Sequence, residues 1–133
     1  MSRLHFQSLI GLIVIGLLFA CQTEKDFTPA LIPMPQQVEW RSQQFNMADS
    51  SDCFVQRIVP KIPGVQLNNN EAYRLSVSAD SVILEATSEI GIYRGLQTVK
   101  QLVFEKNGKR YLKGCAIIDW PAFRIRGFMQ DVG

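Results

Sequence analysis

Arg126 is the residue of this 133-residue chain whose surroundings most demand a chemical explanation. It stands among Phe123, Ile125, Phe128, Met129 and Val132, the aromatic and β-branched types that fill a buried strand. A guanidinium in such company must be hydrogen-bonded to a carboxylate, a carbonyl or a ligand, because an unpaired buried charge is very costly. On residue types alone, a structural ion pair is the simpler explanation. Two acids lie nearby. Asp119 precedes Trp120-Pro121, a pair that forces extended or turn backbone, and it suits a turn acceptor. Asp131 has the opposite strand parity to Arg126, so the two share a face only across a bulge; supporting neighbouring polar groups suits it better. The single histidine, His5, falls in the apolar N-terminal stretch, and no CxxC or HxxxH spacing occurs, so neither a metal nor another cofactor is expected.

The elements around these residues begin with a leader. Arg3 precedes an apolar run over 9–20 that is too short for the roughly 20 residues of a spanning helix, and residues 1–20 are expected to be a signal peptide. Leu18-Phe19-Ala20-Cys21 resembles a bacterial lipoprotein processing box, with Cys21 as the residue that takes the lipid. Residues 21–28 form a polar tether with Glu24, Lys25 and Asp26. The expected location is the bacterial cell envelope, lipid-anchored, on the periplasmic or surface side of the outer membrane. Cys53 and Cys115 then share a compartment that permits disulfides, and they either pair or serve as two small buried residues.

A formal net charge of +2 gives no electrostatic footprint for nucleic acid. Lys106, Lys109, Arg110 and Lys113 straddle Asn107-Gly108, which predicts a solvated turn. With 47% hydrophobic and 20% charged residues the chain can build one modest globular domain, and it is too short for a (β/α)8 barrel of about 250 residues.

Three prolines over 29–35 favour an extended approach. Val38-Glu39-Trp40 and Phe45-Asn46-Met47 read as two short strands about residues 41–44. Residues 48–71 are broken by Pro60, Pro63 and Asn68-Asn69-Asn70, leaving strand only near Cys53-Phe54-Val55 and Ile58-Val59. Tyr73, Leu75 and Val77 alternate with Arg74, Ser76 and Ser78, and residues 82–86 return as a hairpin. Ser88 can cap a helix with an apolar stripe of Ile92, Leu96, Val99 and Val103. Gly91 and Gly95 share a face of that helix; each costs roughly 1 kcal/mol against Ala, which close approach to a neighbouring backbone would offset. Tyr93 and Arg94 flank this face as solvated positions, or as contacts for a sugar or a neighbouring domain. Residues 114–118 run as strand or extended linker.

Asp119-Trp120-Pro121-Ala122-Phe123-Arg124-Ile125-Arg126-Gly127-Phe128-Met129-Gln130-Asp131 resembles the start of the catalytic barrel in glycoside hydrolase family 20, the β-N-acetylhexosaminidases, with Gln130 in place of the usual aliphatic residue. Residues 85–102 are similar to that family's N-terminal domain, where a hairpin leads into a Gly-rich helix. The resemblance implies an α+β fold, a small, mostly antiparallel sheet covered by one helix over 29–115, followed over 116–133 by the first strand of a truncated TIM barrel. It departs from the family between 48 and 71, where too few residues remain for the family's further helix, which implies either a trimmed variant or a deletion that leaves part of the sheet uncovered. It also implies that Arg126 binds hydroxyls of a terminal N-acetylhexosamine; its planar fork can serve two vicinal hydroxyls at once. The family polarises the substrate's own acetamido group and protonates the leaving oxygen with an adjacent Asp-Glu pair, and none follows Arg126 here. The expected function is therefore the N-terminal part of a β-N-acetylhexosaminidase acting on GlcNAc- or GalNAc-terminated glycans, inactive as these 133 residues. The alternatives are a surface lipoprotein that binds glycans or another partner, and the product of a broken reading frame.

Overall fold

The computed structural model describes residues 27–48, 53–65 and 69–123. They form an α+β fold, a six-stranded mixed sheet with one helix across it, as the sequence predicts. The strands are β1 (Gln37–Asn46), β2 (Phe54–Ile58), β3 (Tyr73–Val77), β4 (Val82–Ala86), β5 (Val103–Lys106) and β6 (Lys109–Asp119), and the helix, α1, is Glu89–Gln101. The order across the sheet is β1-β6-β3-β4-β2, with β5 paired to the first part of β6. All pairings are antiparallel except β2 with β4.

The period-2 pattern of β3 and β4 becomes a hairpin in which Tyr73, Leu75 and Val77 stand opposite Ala86, Leu84 and Val82. Its turn is closed by Ser78 and Ser81, whose backbone and hydroxyl groups bond one another at 2.9–3.1 Å. Leu75 and Val77 also face Ile117 and Cys115 of β6, which makes one continuous apolar surface beneath α1. Ser88 caps the helix by accepting from the Ile90 and Gly91 amides, while its own hydroxyl donates to the Asn70 carbonyl. The glycine pair has the predicted function. A Cβ at Gly91 would stand 2.5 Å from the Ala72 carbonyl oxygen, and one at Gly95 2.3 Å from Leu84 Cδ1. Backbone contact at the first and side-chain contact at the second let the helix settle onto the hairpin. Its apolar stripe ends sooner than the periodicity suggests. The chain leaves the helix at Leu102, and Val103 starts β5, where it pairs with Leu112.

One expectation needs correction. Residues 37–46 form one strand and not a hairpin about 41–44, because both halves pair with β6: Trp40 stands opposite Cys115 and Gln44 opposite Lys113. The extra residues between them bulge outward, and Gly114 makes room, since a Cβ there would lie 2.4 Å from the Gln43 carbonyl oxygen. None of Arg41, Ser42, Gln43 and Gln44 is a Gly, Pro, Asn or Asp that would favour reversal. Of the strand and the extended linker open to residues 114–118, the fold adopts the strand, and they lie inside the eleven-residue β6. The division expected at 115/116 thus falls within a strand that continues to Asp119.

Of the two arrangements open to Cys53 and Cys115, the fold adopts separate burial, and both are free thiols. Phe54, the neighbour of Cys53, aligns with Val82, Val77 and Cys115 in successive strands. Three strand spacings amount to about 14 Å, twice the reach of a disulfide. Burial pushes the Cys115 thiol up to about 12, against the opposing influence of the Arg41 and Lys113 charges.

The second face of the sheet is different. Ile62 and Val65 from the loop after β2 pack with Ala72, Ile118 and Trp120 at one end of it. Between β2 and β3 the described residues are loop, and Val55 and Ile58 of the edge strand β2 stay exposed. The middle of this face is polar, with Glu85 held between Arg57 of β2 and Arg74 of β3.

Candidate functional site

Asp119 and Trp120, singled out by the sequence, lie where β6 ends, and they border a groove of about 260 Å³. Three segments meet there: the approach around Ile32 and Met34, the outer side of α1 at Arg94 and Gln97, and the exit over Asp119, Trp120 and Pro121. Each wall is tied in place. Gln101 near the end of α1 clamps the approach, accepting from the Ile32 amide at 2.8 Å and donating to its carbonyl at 3.1 Å. Asp119 Oδ1 accepts from the Gln36 amide at 3.1 Å, so this carboxylate ties two distant segments together and is not the local turn acceptor that its place before Trp120-Pro121 suggested. Arg94 is held by Glu71 at 3.1 Å.

Beneath the groove the Tyr73 hydroxyl and Thr98 Oγ1 are 2.6 Å apart. Burial, above all, raises the Tyr73 phenol far beyond its ordinary range; the Thr98 hydrogen bond works against this, and the Asp119 carboxylate adds to it. A phenol so held is a neutral structural bridge between sheet and helix. Both carboxylates of the groove, Glu71 and Asp119, already serve protein groups, and Ile32 and Met34 expose apolar surface at its mouth. The arrangement suits contact with another surface or chain segment better than proton transfer.

Arg126, the sugar-binding expectation, lies outside the described residues, as do Asp131 and the lipidation expectation Cys21. The groove is nevertheless where the described chain leads toward Arg126, since Phe123 is its last described residue. The Gln101 clamp and the Glu71–Arg94 pair were invisible in the sequence, because each joins residues far apart in the chain by single side chains. Ser88 was the one partner with a local signal.

One sheet covered by one helix, with a groove where the last strand ends and both of the groove's carboxylates bonded to protein groups, defines a two-layer α+β domain. The sequence profile of glycosyl hydrolase family 20, domain 2, matches residues 55–120, and the chain belongs to that family. Among curated proteins, it is 42% identical over 69 residues to beta-hexosaminidase subunit A1 of Dictyostelium discoideum and 35% identical over 68 residues to beta-hexosaminidase subunit beta of Sus scrofa. Each alignment covers 50% of this chain and 13% of the relative. Among solved structures, the fold is similar to a Flavobacterium johnsoniae chitobiase, with a TM-score of 0.59 at 23% identity over 83% of this chain and 23% of that one. It is similar also to the Vibrio harveyi exo β-N-acetylglucosaminidase in complex with N-acetylglucosamine, with a TM-score of 0.59 at 21% identity over 80% of this chain and 22% of that one. These two likenesses bear on the fold.

Proposed function

We propose that the chain is the N-terminal part of a β-N-acetylhexosaminidase, in which the α+β domain supports a catalytic barrel that removes terminal GlcNAc or GalNAc by substrate-assisted, retaining hydrolysis. The observation that carries this is one of sequence position. The family match ends at Trp120, and Pro121-Ala122-Phe123-Arg124-Ile125-Arg126-Gly127-Phe128-Met129 follows at once, with the barrel's first-strand pattern. Arg126 is the residue that would donate to the sugar hydroxyls. The nucleophilic acetamido oxygen would come from the substrate, and the Asp-Glu pair that orients it and protonates the leaving group would come from residues other than these 133. The apolar leader and the processing-box pattern ending at Cys21 support a position in the cell envelope on a lipid anchor.

The test is kinetic. In a protein that joins these residues to a complete barrel, Arg126→Ala should lower kcat/KM on an aryl N-acetyl-β-glucosaminide by about 10²-fold, the size expected for losing two charge-assisted hydrogen bonds of about 1.5 kcal/mol each. An unchanged kcat/KM would remove Arg126 from the sugar pocket. The groove with its exposed apolar mouth favours a second possibility, a surface module that binds without hydrolysing. Retention of a GlcNAc-terminated glycan by the 133-residue chain carrying Arg126→Ala would support it.

A further inference from the structure

We propose that the tip of the β5–β6 hairpin is a contact surface for an anionic lipid bilayer, an inference that rests on the reading of Cys21 as a lipidated residue. The tip is a tight turn with Asn107 at φ 53° and Gly108 at φ 71°, the left-handed pair of a two-residue hairpin loop. Lys106 and Lys109 stand directly opposite each other across it, and Lys109 and Arg110 are exposed.

Two exposed apolar side chains flank this basic turn. Met47 continues β1 beside it, its amide donating to the Arg110 carbonyl at 3.0 Å. Phe27 stacks its ring 4.8 Å from Phe104, whose ring in turn lies 5.8 Å from Tyr111, its partner across the hairpin. Basic groups ringed by apolar side chains are the chemistry of an interfacial contact. Phe27 also fixes where the N-terminal chain arrives. Only five residues lie between it and Cys21, a span of about 20 Å when fully extended, so a lipid on Cys21 brings the headgroups within reach of the tip.

The geometry has a consequence for the rest of the molecule. β6 carries the tip at Lys109 and the groove at Asp119, ten residues or about 33 Å apart. A domain resting on its hairpin holds the groove, and the chain leading to Arg126, away from the membrane. The attraction is modest, about fivefold in partitioning for each basic residue near the surface, and Glu105 opposes it. That is enough to orient a domain already tethered.

Lysine footprinting on the mature protein, held to vesicles by its own anchor, tests the proposal. With an acetylating reagent, Lys109 should react at least about fivefold more slowly on vesicles containing phosphatidylglycerol than on phosphatidylcholine alone, and high salt should restore its rate. Lys61 is the internal control, because it is exposed and follows β2 at the groove end of the sheet. Equal labelling of Lys109 on both vesicle types overturns the proposal, whether the rate is fast or slow. The mass of the Cys21 peptide from the same digest separates the two failures: a diacyl or triacyl mass leaves the anchor standing when Lys109 is unprotected, and an unmodified Cys21 removes both.

Discussion

The two faces of the sheet are built from the same strands and held by different forces. Beneath α1, Leu75, Val77, Val82, Leu84, Cys115 and Ile117 are all 0% exposed, and the helix meets them through two glycines. On the opposite face the same strands present an ionic cluster in which two half-exposed arginines, Arg57 and Arg74, cover the buried Glu85, with small residues such as Ser76 and Ala116 beside it. Stability should therefore reside in the helix face, where apolar area is removed from water, while the ionic face sets only which charges neighbour one another.

The largest effect that would test this contrast is Gly95→Leu. Its side chain would have to occupy space held by Leu84 and the Tyr73 ring, and lifting the helix should cost about 3 kcal/mol, seen as a lower midpoint in urea denaturation. Leu75→Ala should cost about as much through the cavity it leaves. On the other face Glu85→Gln should cost about 1 kcal/mol or less, because Arg57 and Arg74 are close to half exposed, and the difference should shrink as salt is added. A Glu85 variant as damaging as Gly95→Leu would reverse the ranking of the faces.

Titration sharpens the contrast further. Cys115 on the helix face is neutral and buried, with its thiol raised from 9.0 to about 12. A folded-state value above the unfolded one means stability that is fully present below pH 9 and lost as the pH rises toward 12. The Tyr73 phenol is shifted in the same direction, so the two add. The denaturation midpoint should fall across this window in the parent chain, and less steeply in Cys115→Ala. At neutral pH, Tyr73→Phe should cost about 1 kcal/mol, the worth of its bond to Thr98.

The same division explains what the sequence could reveal. Apolar alternation over residues 73–86, the Ser88 cap and the glycine pair are local patterns imposed by burial on one side, and each became the element it predicted. β1 was misjudged because a bulge interrupts its alternation, and the partner that straightens it, β6, lies some seventy residues away. The ionic cluster and the groove clamp had no local signature, since a Glu, an Arg or a Gln reads alike whether it is solvated or bonded across the sheet. The sugar-binding expectation at Arg126 came from a resemblance in residue order, and it lies beyond the described residues.

The proposed function implies a division of labour, in which the α+β domain would support a catalytic barrel and hydrolysis would need groups outside the 133 residues. The direct measurement is release of nitrophenol from 4-nitrophenyl N-acetyl-β-glucosaminide by the purified 133-residue chain. The expected result is a rate indistinguishable from the buffer blank. Turnover that scales with protein concentration, and is abolished by Asp119→Asn without loss of folded structure, would contradict it.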